Sequence, residues 1–262
     1  LYSSVVAVSR GISPYDHAAV AQIQQTELGW DAAALGVPSL PFFYPPWYVL
    51  LSLPLVVLPF RTAAVAWFAI NFLLLMAGCL LVLKALDWHP GRWLLPLLAG
   101  ATLFAPTLGD LVVGQYGMPV FLGVCLVGSL CAKTRSGANG GAAGVLTGEG
   151  SSARWRPALA GLGLGLLTLK PQLGIGALLV ACVWLVQRRR FWPLVWAVGL
   201  LLVLGAVSFR VSPHWPAEMI TAQATYAAWA GVPFLIQGCD TCSTFAAIVE
   251  SAGVSGPVAV LL

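Results

Sequence analysis

The sequence predicts an all-α fold, a multi-pass transmembrane helical bundle with about six to eight membrane segments. Of its 262 residues, 59% are hydrophobic and 8% are charged, and the mean hydropathy is +0.89. A soluble domain carries about 25% charged residues. The apolar windows recur with Gly, Pro and Trp, which is typical of membrane helices rather than barrel strands. We therefore expect contact with membrane lipids. No basic stripe with interleaved aromatic residues is present, so we expect no nucleic-acid partner.

We take the chain to be a single membrane domain and a fragment of a longer protein. Its polar and apolar stretches divide it into three regions. Residues 1–45 and 209–256 are long, mostly non-spanning regions and predict two outer loops, with helices over residues 16–28 and 215–229. Ser13 or Asp16 can cap the first helix. The region 46–208 predicts the transmembrane helices, with apolar segments at residues 47–60, 63–83, 93–108, 119–131, 158–190 and 192–207. Its Gly-, Ser- and Ala-rich stretch 133–156 predicts a flexible cytoplasmic loop.

One of these apolar segments, residues 158–190, contains a single charged side chain, Lys170, before it ends in three arginines. A charge inside a hydrophobic run costs at least a few kcal/mol, so such a lysine marks a functional site by default. Pro171 follows it and predicts a bend or a break. The segment is too long for one upright span of about 20 residues. Two interpretations remain: one long tilted helix kinked at Lys170, or two short passes with the lysine at their turn.

Three basic clusters orient the chain, at residues 84–92, 133–156 and 188–190. The positive-inside rule places all three in the cytoplasm. The two long loops, Gln115 and Lys170 then lie together on the outer face, and segment 47–60 is re-entrant or interfacial. The alternative lets segment 47–60 cross the membrane but puts residues 84–92 outside, against the rule. We adopt the first arrangement.

Residue chemistry gives Lys170 two interpretations. As a snorkelling or helix-end lysine it only marks an interface. As a point cation at membrane depth it suits phosphate, and a lipid phosphate is the anion available there. These observations leave a transporter and a lipid-using enzyme open.

The other polar residues carry less information. Asp16 can act as a general base or as a helix cap. The histidines show no metal-ligand spacing, so we expect no metal and no cofactor. Cys239 and Cys242 form one CxxC pair without a second, which favours coincidence or a loop disulfide over a metal site. The glycines of GLGLG, at 161, 163 and 165, are typical of membrane helices and not of a dinucleotide motif.

A series of motifs resembles glycosyltransferase family 87, a family of polytopic glycosyltransferases of the membrane GT-C class. The motifs are GISPYD (11–16), PFFYPP (41–46) followed by PLVVLP (54–59), GQYG (114–117), AGLGLGLLTLKPQ (160–172) and, more weakly, SPHW (212–215) and the CDTCS stretch (239–243). The family includes the polyprenol-phosphate-mannose-dependent α-mannosyltransferases of mycobacteria. The resemblance covers nearly the whole chain, and the order and spacing of the motifs carry it.

The resemblance implies a GT-C hexosyltransferase of the bacterial plasma membrane. It implies transfer of a hexose, mannose in the mycobacterial members, from a polyprenyl-phosphate sugar to a glycolipid or glycan acceptor on the outer face. Lys170 matches the KP position of the family, and we infer a donor-phosphate role for it from its charge and depth. We expect the substrate-binding residues to be Lys170, Gln115, Tyr44, Tyr15, His214 and Ser243.

In this class an acidic residue of the first outer loop deprotonates the acceptor hydroxyl, and the sugar is displaced from phosphate with inversion. That acid stands a few residues before a tyrosine that Tyr2 resembles, so we expect it upstream of Leu1 and expect this fragment to lack it. Asp16, in the later PYD turn, is the in-chain candidate. The alternative function is a flippase or transporter of lipid-linked sugars. A transporter should show paired interrupted helices in matching halves, and the sequence shows one interruption, at Lys170.

Overall fold

The computed structural model describes residues 2–29, 41–132 and 155–229. Within these residues the fold is all-α, as predicted, and contains no strand. The α-helices are α1 (Tyr2–Ser9), α2 (His17–Leu28), α3 (Trp47–Ser52), α4 (Phe60–Ala85), α5 (Leu94–Leu103), α6 (Ala105–Val113), α7 (Gly117–Ala132), α8 (Trp155–Leu167), α9 (Pro171–Gln187), α10 (Trp192–Val211) and α11 (Trp215–Trp229). Short 3₁₀ helices follow α3 at Leu53–Val57 and precede α5 at Gly91–Trp93.

The chain divides into two compact units. The central unit is Pro54–Ser208, and the terminal unit combines Leu1–Leu53 with Phe209–Leu262. The first border lies a few residues from the start of the predicted transmembrane region at residue 46, and the second coincides with its end at residue 208.

The described residues contain two helices that are long and apolar enough to cross a membrane, α4 and α10. Together α5 and α6 form a third candidate span, which is bent by 63°. Three shorter apolar helices lie at Trp47–Val57, Gly117–Ser129 and Leu173–Gln187. Among the predicted segments, 63–83 lies inside α4, whereas α10 continues to Val211, four residues past its predicted end.

The span predicted over residues 93–108 corresponds to the candidate span formed by α5 and α6, but it is bent and extends to Val113. The chain bends at Phe104, whose φ of −56° and ψ of 122° lie outside the helical region. Pro106 follows within the first turn of α6, and a proline removes a helical hydrogen bond and clashes with the preceding turn. Because α6 then runs to Val113 and α7 begins at Gly117, the predicted link over residues 109–118 shrinks to three residues.

In the central unit α8 packs between two neighbours because its glycines remove side chains on both sides. A Cβ at Gly163 would lie 2.9 Å from the carbonyl oxygen of Gly123 in α7. A Cβ at Gly161 would lie 2.8 Å from the carbonyl oxygen of Pro193 in α10. Close backbone approach through small residues is how membrane helices associate where water exclusion offers no driving force. The GLGLG stretch is therefore a helix-packing motif.

In the terminal unit α1 and α2 pack together. The predicted helix over residues 16–28 is confirmed as α2, and the Asp16 carboxylate caps it by accepting the N–H of Ala19 at 3.1 Å. Sequence analysis did not predict α1, whose residues Ser3 to Ala7 are buried. The Ser3 hydroxyl accepts the side-chain N–H of Gln24 at 3.2 Å, which ties the two helices.

Candidate functional site

Lys170 lies in a three-residue break between α8 and α9. The last turn of α8 tightens, since the N–H of Thr168 and its hydroxyl both bond to the carbonyl of Gly165. Pro171 then starts α9, a position that suits proline because the first helical N–H has no partner in any case. A Cβ at Gly174 would overlap the carbonyl oxygen of Leu167, so this glycine lets the two helices meet closely. The sequence-based break at Lys170 is confirmed.

The Lys170 ammonium is held by two partners from a different stretch of the central unit. Its Nζ lies 3.2 Å from Asp110 Oδ1 and donates a second hydrogen bond to Gln115 Oε1. The two charged side chains are only 10% and 18% exposed. Lys170 and Gln115, both predicted substrate-binding residues, are thus brought together, and Asp110 joins them.

Asp110 stands in the last turn of α6, where the negative end of the helix dipole disfavours a carboxylate. The Lys170 ammonium offsets this repulsion. Gly117, the first residue of α7, is also needed, because a Cβ there would overlap the Asp110 carboxylate. Asp110 therefore keeps its position because the Lys170 ammonium attracts it and because Gly117 has no side chain to displace it.

The GQYG turn, residues 114–117, is fixed from two sides. Gly114 ends α6 with a φ of +71°, a left-handed conformation that favours glycine. The indole N–H of Trp67 in α4 donates to the Gly114 carbonyl at 2.8 Å, and the Trp67 ring packs on the buried ring of Tyr116 at 4.8 Å between centroids. The turn thereby presents Gln115 to Lys170.

This arrangement leaves one hydrogen-bond donor of Lys170 without a partner among the described residues. The ammonium has three N–H donors, and the described residues supply acceptors for two of them. The Asp110 charge balances that of Lys170, and the partial positive charge at the N-terminus of α9 is offset by the partial negative charge at the C-terminus of α6. The third N–H of the ammonium can therefore donate to an oxygen atom of a ligand.

A second polar cluster lies in the terminal unit, centred on Glu218 in the first turn of α11. Its Oε2 accepts the hydroxyls of Ser212 at 2.5 Å and Ser13 at 3.1 Å. Burial, and then the charge of Glu218, raise the pKa of Tyr15, whose hydroxyl donates to the Tyr44 carbonyl at 2.5 Å. The predicted residues Tyr15 and Tyr44 are therefore in contact, and the Tyr15 phenol stays neutral.

The other predicted residues stand apart from these contacts. His214 is exposed, and its carbonyl accepts the N–H of Glu218 at the start of α11. Asp16 is exposed and caps α2. Ser243 and the Cys239–Cys242 pair lie outside the described residues.

Sequence reasoning did not identify Asp110 or Glu218 as site residues. For Asp110 a signal existed. Between residues 54 and 208 the chain has three carboxylates, Asp87, Asp110 and Glu149, and Asp110 alone stands in a link that has no basic residue. Charges inside membrane segments pair with one another, so Asp110 was the natural partner for Lys170. Glu218 gave no comparable signal, because its partner Ser13 lies 205 residues away in the sequence.

The described residues contain no group of three or more His, Cys, Asp or Glu side chains that could hold a metal ion. Their polar chemistry is that of one buried lysine, several carboxylates and hydroxyls.

The family model of glycosyltransferase family 87 matches residues 42–231, well over half of the chain. The match includes Asp110, Gln115, Lys170 and Glu218, whereas Tyr15, Asp16 and Ser243 fall outside it. No curated protein sequence and no solved structure matches the chain significantly. The family consists of membrane glycosyltransferases, which agrees with the apolar helices of the central unit. The resemblance drawn from the motifs is confirmed, and the chain belongs to glycosyltransferase family 87.

Proposed function

We propose that this glycosyltransferase moves a hexose, with mannose as the first sugar to test, from a polyprenyl-phosphate donor to a glycolipid or glycan acceptor on the outer face of a bacterial plasma membrane. The observation that carries the proposal is Lys170, a nearly buried cation at a helix N-terminus within an apolar helical unit. In this proposal its third N–H binds the donor phosphate.

Phosphate fits Lys170 better than a carboxylate or a neutral ligand does. A lipid-linked phosphate brings its own apolar chain, which suits the many exposed apolar side chains of the central unit. Lysine binds phosphate as a point charge, and a helix N-terminus favours the same anion. Asp110 and Gln115 orient the ammonium so that one N–H remains for the ligand.

The reaction exchanges two bonds at the anomeric carbon. The acceptor oxygen forms a bond to this carbon while the bond to the phosphate oxygen breaks. The hydroxyl proton goes to a carboxylate that acts as the general base. The polyprenyl phosphate leaves with one more negative charge than it had in the donor. Lys170 stabilises this added charge, and stabilisation of developing charge by a fixed donor accelerates the chemical step.

Transport of lipid-linked sugars is the second candidate, and one observation favours it. The sequence showed one interrupted helix, but the structure adds another, the 63° bend between α5 and α6. Asp110 lies in the second half of this bent pair and contacts Lys170 at the other break. Interrupted helices that carry charged groups are typical of transporter sites.

The test uses the full-length protein in membranes supplied with polyprenyl-phosphate hexoses and a glycolipid acceptor. We expect Lys170→Ala to reduce hexose transfer by about a hundredfold or more, because a preorganised charge at the leaving group is lost. Lys84→Ala is the matched control, since Lys84 is an exposed lysine near the end of α4. Membrane insertion should be unchanged in both variants.

Normal transfer in the Lys170→Ala variant would remove this lysine from the mechanism. Movement of the lipid-linked sugar across the bilayer without transfer to the acceptor would favour the transport function instead.

A further inference from the structure

The terminal unit holds two buried indole N–H groups that are left without acceptors. They belong to Trp47 in α3 and Trp215 at the start of α11, and neither has a hydrogen-bond partner among the described residues. The two rings meet edge to face, with centroids 5.4 Å apart and planes at 76°. An indole nitrogen can only donate, and buried donors in folded proteins are nearly always paired. Two such donors on rings that are in contact point to an acceptor from outside the chain.

A carboxylate lies on the same face of α11. Glu218 follows Trp215 by three residues, so the two side chains are neighbours on the helix surface. Oε2 of Glu218 accepts the hydroxyls of Ser212 and Ser13, and Oε1 has no partner among the described residues. This cluster thus combines two buried donors, one carboxylate oxygen without a partner among the described residues, and two aromatic rings.

This combination selects the chemistry of the ligand. The negative charge of Glu218 repels phosphate and carboxylate. The N–H groups of the two indoles need acceptor oxygens, whereas Glu218 Oε1 is free to accept a hydrogen bond. A single ligand that binds all three residues must therefore carry groups that both donate and accept. Hydroxyls do both, and a pyranose ring also offers apolar C–H faces to aromatic rings.

We infer that Trp47, Trp215 and Glu218 bind the hydroxyls of a hexose ring. That the ring belongs to a substrate of sugar transfer rests on the proposed function. That the three residues bind a hexose rests on their own geometry. The hexose comes either from the donor or from the acceptor, and the two sources are separated by kinetics.

The binding test uses the full-length protein in nanodiscs and methyl α-mannopyranoside as a soluble probe, with saturation-transfer NMR as the readout. Trp215→Phe and Trp47→Phe keep an aromatic ring but remove the N–H, and Glu218→Gln removes the charge. We expect each substitution to weaken binding about five- to tenfold, the effect of one lost hydrogen bond to a buried partner. Trp192→Phe and Glu27→Gln are matched controls, at an exposed tryptophan and at a glutamate paired with Arg10.

Two results would overturn the inference. One is wild-type protein that binds no hexoside at millimolar concentration, which would mean that water alone satisfies the indoles. The other is unchanged binding in the two Trp→Phe variants while their melting temperatures match that of the wild type.

Kinetics then assign the source of the ring. If it is the acceptor's, Trp215→Phe raises the KM for the acceptor about five- to tenfold and leaves the KM for the donor unchanged. If it is the donor's, the pattern reverses. The protein could bind the hexoside through these three residues and yet transfer no sugar from any polyprenyl-phosphate donor. That result would support the hexose site and refute the proposed function.

Discussion

The ion pair between Lys170 and Asp110 can be tested for a role in phosphate binding by removing both charges. If the pair only stabilises the fold, hexose transfer should survive this change, whereas a phosphate site should lose transfer. The single variant Lys170→Met leaves Asp110 unpaired at the C-terminal end of α6. The double variant Asp110→Asn with Lys170→Met removes both charges and nearly keeps both volumes. We expect the double variant to regain the stability that the single variant loses, without regaining hexose transfer.

The magnitudes follow from burial. Breaking one side of a buried ion pair costs about 3–5 kcal/mol of unfolding free energy, because it strands the other charge. The side chains here keep 10% and 18% exposure, so we expect the lower end, about 3 kcal/mol. In a chain of this size that lowers the melting temperature by about 6–12 °C. Replacing both charges by neutral residues of similar volume is often neutral, so the double variant should melt within about 3 °C of the wild type.

The assay combines two readouts on the same full-length preparations in detergent or nanodiscs. Thermal unfolding followed by tryptophan fluorescence gives the melting temperature. Release of polyprenyl phosphate from a labelled donor gives the transfer rate. We expect transfer in both variants to stay at least about a hundredfold below the wild type, because neither carries a cation for the leaving phosphate.

A double variant that recovers stability and also transfers hexose at near wild-type rates would refute this reasoning. The Lys170–Asp110 pair would then be a structural device that neutral residues can replace.

Three further predictions concern two glycines at close helix contacts and the pKa of Tyr15. Gly117→Ala should lower transfer at least about tenfold, because the added methyl displaces the carboxylate that orients the lysine. Gly123→Ala should lower the melting temperature by several degrees, because a Cβ there would lie 2.7 Å from a carbonyl oxygen of α8. Tyr15 has a pKa raised above its ordinary value of 10.0, so its neutral form contributes stability below about pH 10 that is lost as the pH rises further. The melting-temperature difference between wild type and Tyr15→Phe, measured at about pH 9 and about pH 11, should therefore shrink or reverse at the higher pH.

Each of these predictions has its own control. Gly109→Ala adds the same methyl one residue before Asp110, where a Cβ meets nothing within 4 Å, and should transfer hexose normally. Equal losses at positions 109 and 117 would contradict the steric explanation. Gly128→Ala serves the same purpose for α7, since its Cβ also faces open space. For Tyr15, a difference that is constant between the two pH values would show that the phenol does not titrate with unfolding.

The break at Lys170 could be predicted from the sequence because its causes are local. Proline at position 171 and a charge inside an apolar run act on their own few residues. The cap at Asp16 was predictable for the same reason. The bend at Phe104 had an equally local cause in Pro106, yet the hydropathy of residues 93–108 concealed it. A hydropathy window averages over its residues, so it does not register a single backbone break.

The contacts of the two sites could not be predicted so directly. Asp110 is 60 residues from Lys170, and Glu218 is 205 residues from Ser13. Such pairs depend on how the helices pack. Packing here requires glycines such as Gly117 and Gly163, because any side chain at these positions would clash with a neighbouring residue. From the sequence alone these glycines are indistinguishable from those that face open space, such as Gly109 and Gly128.

The central claim is that Lys170 recognises the phosphate of a lipid-linked sugar, and the most direct measurement compares two lipids that differ only in that group. The full-length protein is titrated with a polyprenyl phosphate and with the matching polyprenol, in wild-type and Lys170→Met forms. We expect the wild type to bind the phosphate at least about tenfold more tightly than the alcohol, and the variant to bind both equally. A preference for phosphate that survives Lys170→Met unchanged would contradict the claim.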